Sequence, residues 1–255
     1  MAGLNARLAL KQAASVARRT GMRNRQVDVL RAIIGPHLAS ELEEIRRKVS
    51  EAQEAEDWQI LRDWIEGFYP EQEERVAEAL RPALLDFGER IADVAADEIG
   101  GEAEAFDLDE FTDEYLDAFR DRWARDSIAP VRAALRDMDG EELDDRLSGE
   151  FEDWEDSRAD WTAEREATRS AAAYATATYA ANGVQELVWR ANPGACELCE
   201  VMDGRAVGIT SSFLGAGEAL EAGETRLVTE GSIGHPPLHG NRGRGGVCQC
   251  QIAAG

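Results

Sequence analysis

The sequence predicts a mainly α fold: a long helical body followed by a small C-terminal α+β domain with a Cys/His cluster. Three observations predict it. Apolar residues recur at helical spacing from about residue 26 to residue 181. The pattern stops at Asn182-Gly183, after which Gly, Pro and short apolar alternations take over. All four cysteines lie between Cys196 and Cys250. The expected divisions are 1–25, a basic N-terminal arm or first helix; 26–183, the helical body; and 184–255, the small domain.

The basic stretch contains Arg7, Lys11, Arg18, Arg19, Arg23 and Arg25 among alanines. It reads as a solvated helix face, or as an arm that docks on an acidic partner or on DNA. Leu38, Leu42, Ile45 and Val49 then step by four, three and four, one face of a helix. Pro36 is expected at that helix's start, where a missing amide costs nothing. Trp58, Leu61, Ile65 and Phe68 repeat the spacing, with an end expected at Tyr69-Pro70. Leu84, Phe87, Ile91 and Val94 form a third stripe, closed by Gly100-Gly101. Phe111, Tyr115, Phe119 and Trp123 form a fourth. Asp126-Ser127 and Pro130 punctuate the chain before a helix with Val131 and Leu135, ended by Asp139-Gly140. Leu143, Leu147, Phe151 and Trp154 continue at helical spacing. These stripes are expected to be the core of a bundle. Glu164–Ala181 is alanine-rich and helical, and Asn182-Gly183 is a stop signal. Val184–Trp189 reads as a strand.

The charge balance is extreme: 28 Lys plus Arg against 51 Asp plus Glu, net −23. Lys11 and Lys48 are the only lysines. Binding nucleic acid through the overall field needs clustered basic residues, so no specific nucleic-acid binding is expected. Such acidity fits a halophilic host, where salt screens the repulsion, or a protein that sits beside packed DNA without sticking to it. A GC-rich genome favouring Arg, Ala, Glu and Asp explains it as well. No apolar stretch approaches the roughly 18 residues that span a bilayer, and the first residues lack a signal-peptide pattern. A soluble protein made in the cytoplasm is expected.

The informative constellation is Cys196-Glu197-Leu198-Cys199, then His235-Pro236-Pro237-Leu238-His239, then Cys248-Gln249-Cys250. Cys-x2-Cys lets one turn present two thiolates to one ion. Residues two apart on a strand share a face, so Cys248 and Cys250 can both address that knuckle. Clustered cysteines in a cytoplasmic chain favour metal over disulfides. The candidate ligands are Cys196, Cys199, His239, Cys248 and Cys250, and structural zinc is the expected cofactor. Zinc in a closed site takes four, so one of the five is supernumerary. His235 reads as a strand or loop residue and His37 as a cap or surface residue.

Over about residues 163–250 the chain resembles the phage head-morphogenesis family, the Mu protein F-like minor capsid proteins. The matching features, in order, are Ala163-Glu164-Arg165-Glu166, Asn182-Gly183-Val184, Trp189, Cys196 and Cys199, Asp203-Gly204, Pro236-Pro237-Leu238-His239 and Cys248-Gln249-Cys250. Pro-Pro-x-His before Cys-x-Cys is the specific part. Three positions depart from the pattern. Gly240–Val247 intervenes between the histidine and the last cysteines, Gln249 stands where the family has Arg, and Asn192 is the best match for an Asp before the first Cys. Residues 1–160 carry no resemblance. The resemblance implies a low-copy protein of the virion, in the inner head or near the portal, needed for head morphogenesis. Its partners would be the portal protein and the major capsid protein.

Two other readings compete. His235, His239 and Asn241 beside cysteine pairs suggest a zinc-framed His-Asn-His nuclease, but after Asn241 no histidine remains to hold a catalytic metal. Arg242 and Arg244 suggest a nucleic-acid-binding zinc module, which the overall charge opposes. His-Glu-x2-His, Gly-x-Ser-x-Gly and phosphate-loop motifs are absent. No enzymatic activity, small-molecule substrate or membrane partner is expected.

The charge alone makes a prediction. Repulsion among carboxylates destabilises the folded chain, and salt shortens the Debye length from about 10 Å at 0.1 M to about 3 Å at 1 M. The melting temperature should therefore rise with KCl from dilute to molar. A flat or falling melting temperature refutes the charge argument, and a small rise refutes only the halophilic origin.

Overall fold

The computed structural model describes residues 2–137, 140–229, 231–237 and 247–255. It is mainly helical, with a small C-terminal strand region. The helices are α1 (Ala2–Glu54), α2 (Gln59–Ile99), α3 (Leu108–Asp137), α4 (Gly140–Asp153), α5 (Ala159–Ala181) and α6 (Glu197–Met202). The strands are β1 (Glu186–Arg190), β2 (Ala206–Gly208), β3 (Ala219–Ala222), β4 (Thr225–Val228) and β5 (Gln251–Ala254). Asp139, expected at a helix end, lies outside the described residues.

Three expected helix boundaries are corrected. Pro36 lies inside α1, Pro70 inside α2 and Pro130 inside α3, so none of them starts or ends a helix. The basic stretch is likewise the first part of α1. A proline in a helix costs about 3 kcal/mol by removing one amide and crowding the carbonyl a turn back. Pro36 and Pro70 are exposed, so water reaches the freed carbonyl. The flanking turns bury Ile34, Leu38, Leu42 and Ile65, Tyr69, Val76. Burying each such side chain is worth about 1.5–3 kcal/mol, enough to carry the helix through. The breaks fall where the backbone turns left-handed: Glu56 has φ 51° and Gly100 has φ 70°.

The chain forms two compact units that do not follow chain order. One contains Met1–Asp28, Leu84–Phe111 and Ala163–Gly255; the other contains Val29–Ala83 and Thr112–Thr162. These cuts differ from divisions at 25/26 and 183/184, because long helices contribute to both units.

The second unit is a helical core. Leu42, Ile45 and Val49 of α1 meet Leu61 and Ile65 of α2, Val131 and Leu135 of α3, and Leu147 and Phe151 of α4. A π-helical turn, Trp154–Arg158, follows α4 and buries both of its end residues. The Arg158 guanidinium lies 4.0 Å from the Trp154 ring centroid and 3.2 Å from Glu41. Glu41 also accepts from Tyr69 Oη at 3.2 Å and Trp123 Nε1 at 3.1 Å. Burial, then the Glu41 charge, pushes the Tyr69 hydroxyl well above the usual tyrosine range.

The first unit has one core that includes helices and strands alike. Phe87 and Ile91 of α2 and Tyr174 and Tyr179 of α5 pack in the same cluster as Leu187, Trp189, Leu198, Phe213 and Ile252. The main sheet has the order β2-β1-β5 and is antiparallel, with Trp189 opposite Ile252. β3 and β4 form a separate hairpin. The close approach of α2 and α5 depends on Gly88, where a Cβ would lie 2.5 Å from the Tyr174 ring. Gly88→Ala is expected to cost about 1–3 kcal/mol through this overpacking. Denaturant unfolding measures it, and an unchanged midpoint would show that Tyr174 yields freely.

Candidate metal centre

Two chain segments supply the thiols. β1 leads through residues 191–196 to α6, where Cys196 is the N-cap, with extended backbone at φ −71° and ψ 161°. Cys199 lies in the body of that short helix and is buried. The second segment precedes β5, and pairing of β5 with β1 fixes its position: Arg190 faces Gln251 and Trp189 faces Ile252. Cys248 and Cys250 arrive buried beside Cys199. The three Sγ atoms lie within 4.8 Å of one another, and Cys199 and Cys248 are 3.3 Å apart.

Electrostatically the three thiols behave as one centre. Hydrogen bonds from Cys199 and Cys248 pull the Cys250 thiol well below the usual thiol range, against the opposing effect of burial. The Asn192 backbone amide and the Trp189 indole also favour this thiolate. The thiol of Cys199 is pushed far up, first by its hydrogen bonds to Cys248 and Cys250 and then by burial. The opposite shifts come from the mutual hydrogen bonds through which the three sulfurs share their protons. An ion entering the cluster displaces such protons, so its binding is coupled to pH.

The donor set fits a soft or borderline cation. Sulfur ligands at about 2.3 Å around a tetrahedral ion lie about 3.8 Å apart. Cys199 and Cys248 are closer than this at 3.3 Å, and no pair of the three is farther apart than 4.8 Å, so small side-chain rotations suffice. Trp189 sits beside the cluster as a donor. Its Nε1 is buried without a partner in good hydrogen-bond geometry. Metal-bound thiolates commonly accept such outer donors. All three thiols are at most 5% exposed, which suits a closed site that holds structure.

The five predicted ligands fare differently. Cys199, Cys248 and Cys250 are brought together. Cys196 is half-buried at the helix cap and is not among the three clustered thiols. His239 lies outside the described residues, as do Asn241, Arg242 and Arg244. His235 is a loop residue whose Nδ1 is 2.8 Å from the Pro236 carbonyl. His37 lies inside α1, half-buried.

Sequence reasoning missed the role of Asn192, whose amide reaches Cys250 and whose Nδ2 donates to the Gln249 carbonyl at 2.5 Å. A polar residue just before the first cysteine was the available signal.

Comparison with protein-family models, with curated proteins and with solved structures finds no match. Among the described residues no helix is long and apolar enough to cross a membrane.

Because Cys199, Cys248 and Cys250 share the core that holds Tyr174 and Tyr179, the centre is not an independent appendage. Removing a bound ion by chelation, or Cys199→Ser, should loosen β1, β5, α5 and the part of α2 after Leu84 together. The expected loss is at least about 3 kcal/mol, the range in which loss of a metal falls. Hydrogen exchange reads it segment by segment. Purified reduced protein that is folded yet contains no metal by elemental analysis would overturn the assignment.

Proposed function

We propose that this chain is a minor head protein of a tailed virus, with a structural role in head morphogenesis beside the portal. In this reading zinc is a structural ion held by Cys199, Cys248 and Cys250, with Cys196 and His239 as the candidates for a fourth ligand. The observation that carries the proposal is the meeting of Cys199, the second cysteine of the Cys-x2-Cys, with the Cys-x-Cys pair. Those are the elements on which the resemblance to the Mu protein F-like proteins rests, together with Pro-Pro-x-His.

Two further features support it. The thiols are buried, so a bound ion would have its protein ligands and no room for substrate. The net charge of −23 suits a surface that works close to packaged DNA without binding it. In this reading the ion's binding free energy is folding free energy, because the ligands converge only when β1, α6 and β5 are formed.

The test is the protein's location. Mass spectrometry of purified virions and proheads of a tailed virus that encodes it should find the chain in few copies, and it should co-purify with the portal protein. Its absence from virions and proheads alike would overturn the proposal. Metal-dependent nucleic-acid cleavage by the purified chain would replace it with the nuclease reading.

A further inference from the structure

Arg19, Arg23 and Arg158 are the buried arginines among the described residues. Two of them follow one rule. Arg19 is paired with Glu98 at 3.3 Å, and Arg158 with Glu41 at 3.2 Å. Arg23 breaks it. It is 2% exposed, yet its hydrogen bonds go to neutral acceptors: Thr168 Oγ1 at 2.9 Å, the Glu164 carbonyl at 3.0 Å and Asn24 Oδ1 at 3.1 Å. Taking an unpaired charge out of water is costly, so a buried guanidinium needs negative charge nearby.

Glu164 lends one at a distance, and the chain placement supplies a second. α1 runs beside the C-terminal segment, and its side chains meet that segment in reverse order. Gln12 donates to the Ala254 carbonyl at 2.5 Å and Arg19 to the Ile252 carbonyl at 2.6 Å. Thr20 lies 3.4 Å from Asn192, which itself donates to Gln249. Arg23 is one turn further along the face that carries Arg19, and Met22 packs against the cluster that contains Cys199, Cys248 and Cys250. Burial pulls the Arg23 pKa down, and the negative charges of Glu164 and then Cys248 act against it.

We infer that Arg23 is the counter-charge of the thiolate centre: its buried guanidinium offsets the negative charge that Cys199, Cys248 and Cys250 carry when they hold a cation. Three thiolates around a divalent ion leave one net negative charge, and Arg23 supplies one positive charge. Arg23 is thus a positioning residue for the metal, and it ties α1 to the state of the site. The inference rests on the metal reading proposed above.

The test is competition titration of zinc on the full-length reduced protein against a chromophoric chelator, for wild type, Arg23→Lys and Arg23→Gln. Arg23→Lys keeps the charge and loses the forked hydrogen bonds. Arg23→Gln loses the charge. The expected order is wild type close to Arg23→Lys, with Arg23→Gln weaker by about 10- to 100-fold, the scale on which outer groups tune metal affinity. Melting of the zinc-free proteins gives the second readout. Without the charge of a full thiolate set Arg23 helps that state less, so Arg23→Gln should lower its melting temperature less than that of the zinc-bound form.

Equal zinc affinity in all three proteins overturns the role of Arg23 and leaves the metal reading intact. So does Arg23→Lys losing affinity as Arg23→Gln does, which makes Arg23 a hydrogen-bonding pin between α1 and α5. This arm decides the matter even where Arg23→Gln does not fold. Wild type that binds no zinc overturns both readings.

Discussion

Arg19 and Glu98 are both fully buried, and the two of them join four parts of the chain. Arg19 comes from α1 and Glu98 from α2. Tyr179 of α5 sits between them, donating to Glu98 at 2.8 Å while accepting from Arg19. The backbone of β5 completes the set: the Ile252 carbonyl accepts from Arg19, and the Ala254 amide donates to Glu98 at 3.1 Å. Removing one partner would leave the other charge buried and alone, which typically costs about 3–5 kcal/mol. This arrangement fixes where β5 lies, and the rest of the unit follows from it. β5 pairs with β1; the two residues before β5 that matter, Cys248 and Cys250, are set by that pairing; and β1 leads directly to the cap and helix that carry Cys196 and Cys199. Position in the thiol cluster is thus inherited from a buried ion pair that contains no cysteine.

Much of this was legible in the sequence, and the reasons are specific. Apolar spacing found the stripes because a helix must bury one face. Leu42, Ile45, Leu61, Ile65, Phe87, Ile91, Phe119 and Trp123 are all buried. The change of character at Asn182-Gly183 marked the end of α5, whose last residue is Ala181, and the strand at β1 followed. Prolines misled because their cost is local while their tolerance depends on which side of the helix faces water. Pro36 and Pro70 face solvent in helices held by buried neighbours on the opposite side, and periodicity in the sequence does not weigh the one against the other.

The centre itself was half legible. The cysteine spacing picked out Cys199, Cys248 and Cys250, because a short helix after a cap and a pair two apart before a strand are local geometries. The division into units was not legible, nor were the roles of Asn192, Trp189 and Arg23. Each depends on a contact between distant segments: Arg19 with β5, Asn192 with Gln249, α1 with the last strand. In the sequence Arg23 is one more arginine in a basic stretch, and only the folded chain shows that it is buried with neutral hydrogen-bond acceptors where its two counterparts are paired with a carboxylate.

The topology also explains why a cross-link at this place has value. Among the described residues between Cys199 and Cys248 the chain makes two strand pairings, of three and four residues, and a single bridge, Leu214 with Ile233, and buries few large side chains besides Met202, Phe213, Leu214 and Leu220. So short a set of elements recovers little of the entropy lost on ordering it. Cys199 and Cys248 are 49 residues apart. Closing a loop of that length removes about 4 kcal/mol of chain entropy from the unfolded state in the standard cross-link treatment. An ion shared by the two segments would act at the base of this stretch, where β1, α6 and β5 already converge. The helices supply the large core and the buried pairs; the thiols close the one region whose own core is thin.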